Sequence, residues 1–381
     1  MRQIAITNPR KLCFGEGCAD VFVHDFAGQG YRRVFILTIE EILPLIEGKI
    51  VALKKAGVEV VLDTSIRTEP SFDTFAAVLE QAHQSGVDAV AGIGGGSVLD
   101  VAKLVAALYR NEQGLLEVLG IGNLKRRTLP LACLPTTSGT GSEVSPNAIL
   151  LDPADQLKKG VISPHLVPDF AYVDPALTRT VPPQVTAATG MDALTHCIEA
   201  YANKFAHPMI DTLALEGVRL IGGHLKRAVD NGDDSEARAA LSLGSLYGGM
   251  CLGPVNTAAV HALSYPLGGE FHVPHGISNA VLLPYVLEFN VSAAPGRYAQ
   301  IARALGVADT GSEEAIARKG IERIVELARQ CGIPTCLSEL NIPREAIPRM
   351  AEGALKVTRL LKNNLRPVTL EDAVQIYERA F

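Results

Sequence analysis

The chain has no uncharged apolar run of the roughly 18 residues that a membrane helix needs, and no amino-terminal apolar stretch ending in a cleavage site. It lacks an excess of positive charge. The formal net charge is -6, which argues against a nucleic-acid partner and leaves small molecules as the expected ligands. Seven cysteines, an odd number without CxxC spacing, exclude a disulfide framework and fit a reducing cytoplasm. No internal repeat or low-complexity tract is present, and charged residues at 20% beside hydrophobic ones at 48% exclude disorder. The expectation is a soluble, cytoplasmic protein.

What is present divides into two textures. At 381 residues the chain is long for one hydrophobic core and suits two domains. Up to about residue 175, short β-branched runs alternate with helical patterns. Strands are predicted over 34–38, 59–62, 88–93, 129–134, 147–151 and 170–173, and helices over 43–56, 71–85 and 97–107. This βα alternation predicts an α/β fold with a parallel, doubly wound, Rossmann-like sheet. Beyond Pro175, helical periodicity dominates 208–230, 236–248, 311–331 and 344–354, and Pro182 and Pro183 mark a helix start. The predicted domains are 1–178, a dinucleotide-binding α/β domain, and 179–381, an all-helical metal-binding domain.

Two loops follow predicted strands. The first, Gly94 to Ser97 (GGGS), leads into a helix bearing Asp100 and Lys103. Glycines there let the backbone approach a pyrophosphate, which the free amides of the helix terminus would face. The spacing is neither GxGxxG nor a P-loop, and a tight strand-to-helix turn with no ligand is the competing reading. The second loop, Thr136 to Ser142, gathers hydroxyls and glycines before Glu143. Such a loop can line a nucleotide cleft at the carboxyl end of a parallel sheet, or stand as a solvated turn.

Four residues have the composition of a metal site. Asp192 and His196 lie four apart on one helical face, and His261 and His275 follow fourteen residues apart. One carboxylate with three imidazoles suits Fe(II), Zn, Ni or Co better than calcium. Any one histidine alone would read as a cap or a core residue. Pro266 and the Gly268-Gly269 pair are expected to end the helix that carries His261. Cys197, adjacent to His196, points about 100° away on a helix and reads as a buried structural cysteine.

Several long segments in order, GGGSVLDVAK, TTSGTGSEV, LVPDFAYVDPALT, ATGMDALTHCIEAY, HALSYPLGG and PHGISNAVLLPYVLEFN, resemble the iron-containing (group III) alcohol dehydrogenase family. The resemblance runs from near Phe14 to Thr369. It implies a dehydroquinate-synthase-like architecture, with an active cleft between a nucleotide domain and a helical metal domain, and homodimerisation. It also implies Asp192, His196, His261 and His275 as metal ligands, and Gly95, Gly96 and Ser97 at the pyrophosphate. By the same resemblance Asp100 lies beside the nicotinamide ribose, Thr137, Thr140 and Leu177 form walls for the adenine and nicotinamide, and Lys159 stands near the ribose or substrate, unless it is a surface lysine. The implied reaction passes hydride between a primary alcohol or small diol and C4 of NAD or NADP, with iron, or else zinc or nickel, as Lewis acid.

Two positions depart from the family pattern. Where NAD-preferring members carry an Asp after the first long strand, this chain has Ile39, so NADP is not repelled, although NAD is the family's commoner choice. Where many members carry a histidine four residues after the third ligand, this chain has Tyr265, a poor base near neutral pH, which makes His272 the alternative proton relay. The pocket is expected around Ser145, Asn147, Leu252 and Phe271, and no arginine cluster marks a carboxylate pocket. Acidic substrates, as in maleylacetate-reductase-like or hydroxybutyrate-like enzymes, are the alternative within oxidoreductases. A glycerol-dehydrogenase-like or dehydroquinate-synthase-like enzyme and a noncatalytic metal- or nucleotide-binding protein are the others. An edge strand over Gln3 to Ile6 is the expected dimer contact.

Overall fold

A computed structural model describes residues 2–154, 157–308 and 310–381. The chain divides into two compact units. One holds residues 6–137 and 141–180; the other holds the amino-terminal stretch through Ala5, Ser138–Thr140 and Val181–Phe381.

The first unit contains β1 (Lys11–Phe14), α1 (Cys18–Gly28), β2 (Arg33–Leu37), α2 (Leu43–Lys55), β3 (Glu59–Asp63), α3 (Phe72–Ser85), β4 (Ala89–Gly94), α4 (Gly96–Leu108), α5 (Leu115–Val118), β5 (Gly120–Ile121), β6 (Leu131–Pro135), β7 (Asn147–Asp152), β8 (Leu157–Ile162) and β9 (Phe170–Val173). A six-stranded sheet has the order β1-β9-β6-β4-β2-β3, and every neighbouring pair in it is parallel. Parallel strands are buried on both faces, which is why RVFIL, AVAGIG and LACLP read as continuous apolar runs. Phe22, Phe26, Ile46 and Leu53 of α1 and α2 pack on one face, whereas Phe75, Val78, Leu99 and Val105 of α3 and α4 pack on the other. The neighbouring strands β2 and β4 therefore send their chains to opposite faces. That divergence makes a topological switch point at their carboxyl ends, where Ile39 and the glycine loop lie.

One expectation is corrected, and the placing of two strands is added. Gln3 to Ile6 forms no strand; the edges of the six-stranded sheet are β3 and β1, the latter pairing with β9 alone. Asn147 to Asp152 joins a second sheet, β5-β8-β7, in which β7 and β8 are antiparallel. Its partner β8 (LKKGVI) escaped the sequence reading because its two lysines and glycine hide a half-buried ribbon.

The second unit is helical among its described residues: α6 (Pro183–Tyr201), α7 (Pro208–Asp230), α8 (Ser235–Leu252), α9 (Ala259–Phe271), α10 (His275–Asn290), α11 (Pro295–Ala304), α12 (Glu313–Gln330), α13 (Ile347–Leu355), α14 (Thr358–Leu361) and α15 (Leu370–Ala380). Pro183 starts α6, where its missing N–H costs nothing. Pro266 does not stop α9, which continues through Gly268 and Gly269 to Phe271. Residues 259–269 are all buried, so packing overrides the local penalty of proline and glycine there.

Candidate active site

Three helices of the second unit supply the candidate metal-ligand set. On α6, Asp192, His196 and Glu199 recur at i, i+4 and i+7 and share one face. His261 lies in the first turn of α9, and His275 is the first residue of α10. Asp192 Oδ1 lies 3.6 Å from His261 Nε2, 3.6 Å from His275 Nε2 and 3.8 Å from His196 Nε2. Ligand atoms held about 2.1 Å from one tetrahedral ion stand about 3.4 Å apart, so these spacings fit a divalent cation. One ligand atom from each of Asp192, His261 and His275 lies within 4.8 Å of the other two; His196 adjoins that set through Asp192.

Solvent reaches the cluster on one side. The side chains of Asp192, His196 and His261 are 4%, 6% and 5% exposed, against 31% for His275. Burial would raise the Asp192 carboxyl, yet the facing imidazoles hold it far below the usual carboxylate range. Burial would lower His261, but Glu199 and Asp192 raise its pKa to about 10. The Asp192 and His261 environment thus favours positive charge, which a divalent cation would supply.

Two residues of the cluster were not foreseen. Glu199 Oε2 accepts from His261 Nδ1 at 2.6 Å, while its Oε1 accepts from the Val260 backbone N–H at 2.6 Å. A single buried carboxylate thereby caps an orphan amide at the start of α9 and turns the other ring nitrogen of His261 toward Asp192. Asn279, four residues after His275 on α10, donates from Nδ2 to Asp192 Oδ1 at 2.7 Å and lies 3.1 Å and 3.3 Å from Nε2 of His261 and His275. The i+7 and i+4 spacings carried both signals in the sequence.

Tyr265, one turn after His261, has its ring 6.3 Å from that of His275. Its hydroxyl accepts a 2.6 Å hydrogen bond from Arg359 on α14, a residue 94 positions away that no local pattern pointed to. His272 is the exposed left-handed cap of α9 (φ 55°). No hydrogen bond or ring contact joins it to the ligands among the described residues.

In the α/β unit the two polar loops meet. A Cβ on Gly95 would lie 3.5 Å from Thr137, an ordinary contact, and Gly95 has an unstrained φ of -73°. Neither conformation nor packing within the described residues requires glycine at 95, which leaves room for close approach of a ligand. Gly94 differs: a Cβ there would strike Val98 at 2.7 Å. Gly96 and Ser97 open α4, which leaves their amides at the helix amino terminus.

Asp100 serves as a staple, accepting from Ser142 Oγ at 2.5 Å and from the Ile149 N–H at 2.9 Å. Lys103 Nζ, fully buried, donates to the carbonyls of Ser145 and Asn147 at 2.9 and 2.8 Å. The buried Asn147 Oδ1 has no hydrogen-bond partner among the described residues. Lys159 pairs with Asp152 at 2.5 Å across the β7–β8 hairpin, and Leu177 is buried against the α1–α2 side of the sheet. Thr140 lies in the segment grouped with the helical unit.

Residues 9–175 match the family described as iron-containing alcohol dehydrogenase, and residues 186–381 match its C-terminal family. The chain is 38% identical over 373 residues to long-chain-alcohol dehydrogenase 1 of Geobacillus thermodenitrificans, covering 96% of this chain and 94% of the relative. It is 33% identical to the sulfoacetaldehyde reductase of Bilophila wadsworthia, covering 86% and 85% of the two chains. Among solved structures, a 1,3-propanediol oxidoreductase superposes with a TM-score of 0.96 at 32% identity, with all of both chains covered.

Proposed function

Because the chain belongs to the iron-containing alcohol dehydrogenase family, a family of metal-dependent oxidoreductases, we propose that it interconverts a short to medium primary alcohol or small diol with its aldehyde at the expense of NAD or NADP. The observation that carries this reading is the buried Asp192, His196, His261 and His275 set with its one exposed side. Asp192, His196, His261 and His275 would hold a divalent ion, iron by family expectation, which would supply Lewis acidity toward the alcohol oxygen. Glu199 and Asn279 orient the ligands. Tyr265 is the residue we assign to hand a proton to or from the substrate oxygen, with Arg359 fixing its hydroxyl. Gly95, Gly96, Ser97 and Thr137 hold the dinucleotide phosphates and their surroundings. NAD is favoured over NADP on family frequency alone, since Ile39 neither repels nor attracts a 2'-phosphate.

The test is anaerobic reconstitution with Fe, Zn or Ni, followed by assay of an alcohol and aldehyde panel with both dinucleotides. Net NADH or NADPH formation from a primary alcohol is expected with at least one metal. Absence of turnover in every metal-loaded form would refute the enzyme reading.

We also place the protein in the cytoplasm, in keeping with its seven free cysteines. It is proposed to form a homodimer, since β1 leaves one edge of the parallel sheet unpaired among the described residues. Light scattering at micromolar concentration should return twice the chain mass; a monomer mass would contradict this.

A further inference from the structure

Arg359 differs from several arginines of the helical unit in what holds it. Arg297, Arg344, Arg349 and Arg379 each hold a carboxylate, whereas Arg359 has no carboxylate partner among the described residues. It is half-buried, and its Nη2 donates to Tyr265 Oη at 2.6 Å. A guanidinium taken partly out of water without a counter-charge is costly, and one phenol oxygen offsets that cost only in part. Its planar fork carries five N–H donors, shaped for a two-oxygen anion, and the Tyr265 bond uses one of them.

The surroundings add to this. Residues 353–370 contain Lys356, Arg359, Lys362 and Arg366 and no acidic residue, in a chain whose overall charge is -6. The same Tyr265 that receives the Arg359 bond has its ring 6.3 Å from His275, the solvent-reaching member of the ligand set. The Arg359 guanidinium and the open side of the candidate ligand cluster are therefore joined through one side chain.

We propose that Arg359 is a specificity-determining residue that binds a carboxylate or sulfonate at the far end of the substrate, so that the preferred aldehydes are short ω-anionic ones. This rests on the dehydrogenase reading and narrows its substrate class. It needs no arginine cluster: the proposal rests on a single arginine that folding brings from α14 to α9.

The experiment compares 4-oxobutanoate with butanal, equal in carbon count, in the metal-loaded enzyme, and takes the ratio of their kcat/KM values. The ratio should favour the acid about tenfold or more, as a charge-assisted pair does. In Arg359→Gln it should fall by about tenfold or more, chiefly through KM for the acid, and Arg359→Lys should restore part of it. Taking the ratio cancels any general loss that follows from disturbing Tyr265. A ratio unchanged in Arg359→Gln, or a wild-type preference for butanal, overturns the proposal.

Calorimetric titration with succinate separates this idea from the reading beneath it. Succinate should bind metal-loaded wild type and bind at least about tenfold more weakly to Arg359→Gln. If neither aldehyde turns over but that difference holds, the dehydrogenase reading fails and the anion site stands. Equal succinate affinity in the two proteins overturns the anion site.

Discussion

His261→Ala is expected to lose bound metal and alcohol oxidation together, with kcat/KM down about a thousandfold or more, while dinucleotide affinity is retained. The imidazole has two partners in different roles. Its Nε2 faces Asp192 Oδ1 at 3.6 Å, and its Nδ1 meets Glu199 Oε2 at 2.6 Å. Removing the ring deletes a ligand and leaves the 4%-exposed Glu199 with the Val260 amide as its remaining site contact. Glu199→Gln keeps that amide bond and the ligand but weakens the hold on the ring. It should cost about 10- to 100-fold in metal affinity, as loss of an orienting partner typically does. The order wild type, Glu199→Gln, His261→Ala should therefore appear in chelator-competition metal titrations. The glycine loop lies in the other unit, so dinucleotide titration should not follow that order. Wild-type metal content and rate in His261→Ala would refute the site.

How far these features were legible depended on whether their cause was local. The parallel sheet was readable because its strands are buried on both faces and keep unbroken apolar runs, as RVFIL and LACLP do. The β7–β8 ribbon was only half readable, because its stability lies in pairing across the hairpin rather than in the composition of LKKGVI. Asp192 and His196 advertised themselves by helical spacing, and Glu199 and Asn279 repeat that spacing without the residue types that draw the eye. Arg359 carried no local signal: a contact between residues 94 apart exists only once α9 and α14 have packed, through Ala262, Tyr265 and Leu360. Pro266 misled for the converse reason, since tertiary burial of α9 outweighed a local helix-breaking preference.

Gly276→Ala is expected to damage the metal centre without touching a ligand. Gly276 follows His275 in the first turn of α10, where the backbone of α10 meets that of α6. A Cβ at this position would lie 2.1 Å from the Ala188 carbonyl oxygen and 2.6 Å from its carbon. Both are backbone atoms, so no rotamer can relieve the clash. The helices must part by roughly 1 Å to reach ordinary contact, at a cost of about 1–3 kcal/mol. Ala188 is one turn before Asp192, and Gly276 is bonded to His275, so the same displacement opens the 3.6 Å spacing between the two ligands. Ligand sets tolerate about 0.5 Å of misplacement, and metal affinity should fall about tenfold or more, with a lower Tm in metal-free protein as well. Gly223→Ala is the matched control: it lies on α7 of the same unit with nothing within 4 Å of its Cβ. There alanine should leave metal affinity unchanged and add up to about 1 kcal/mol of helix stability. A Gly276→Ala protein that binds metal as tightly as wild type would show that the close α6–α10 approach does not set the ligand geometry.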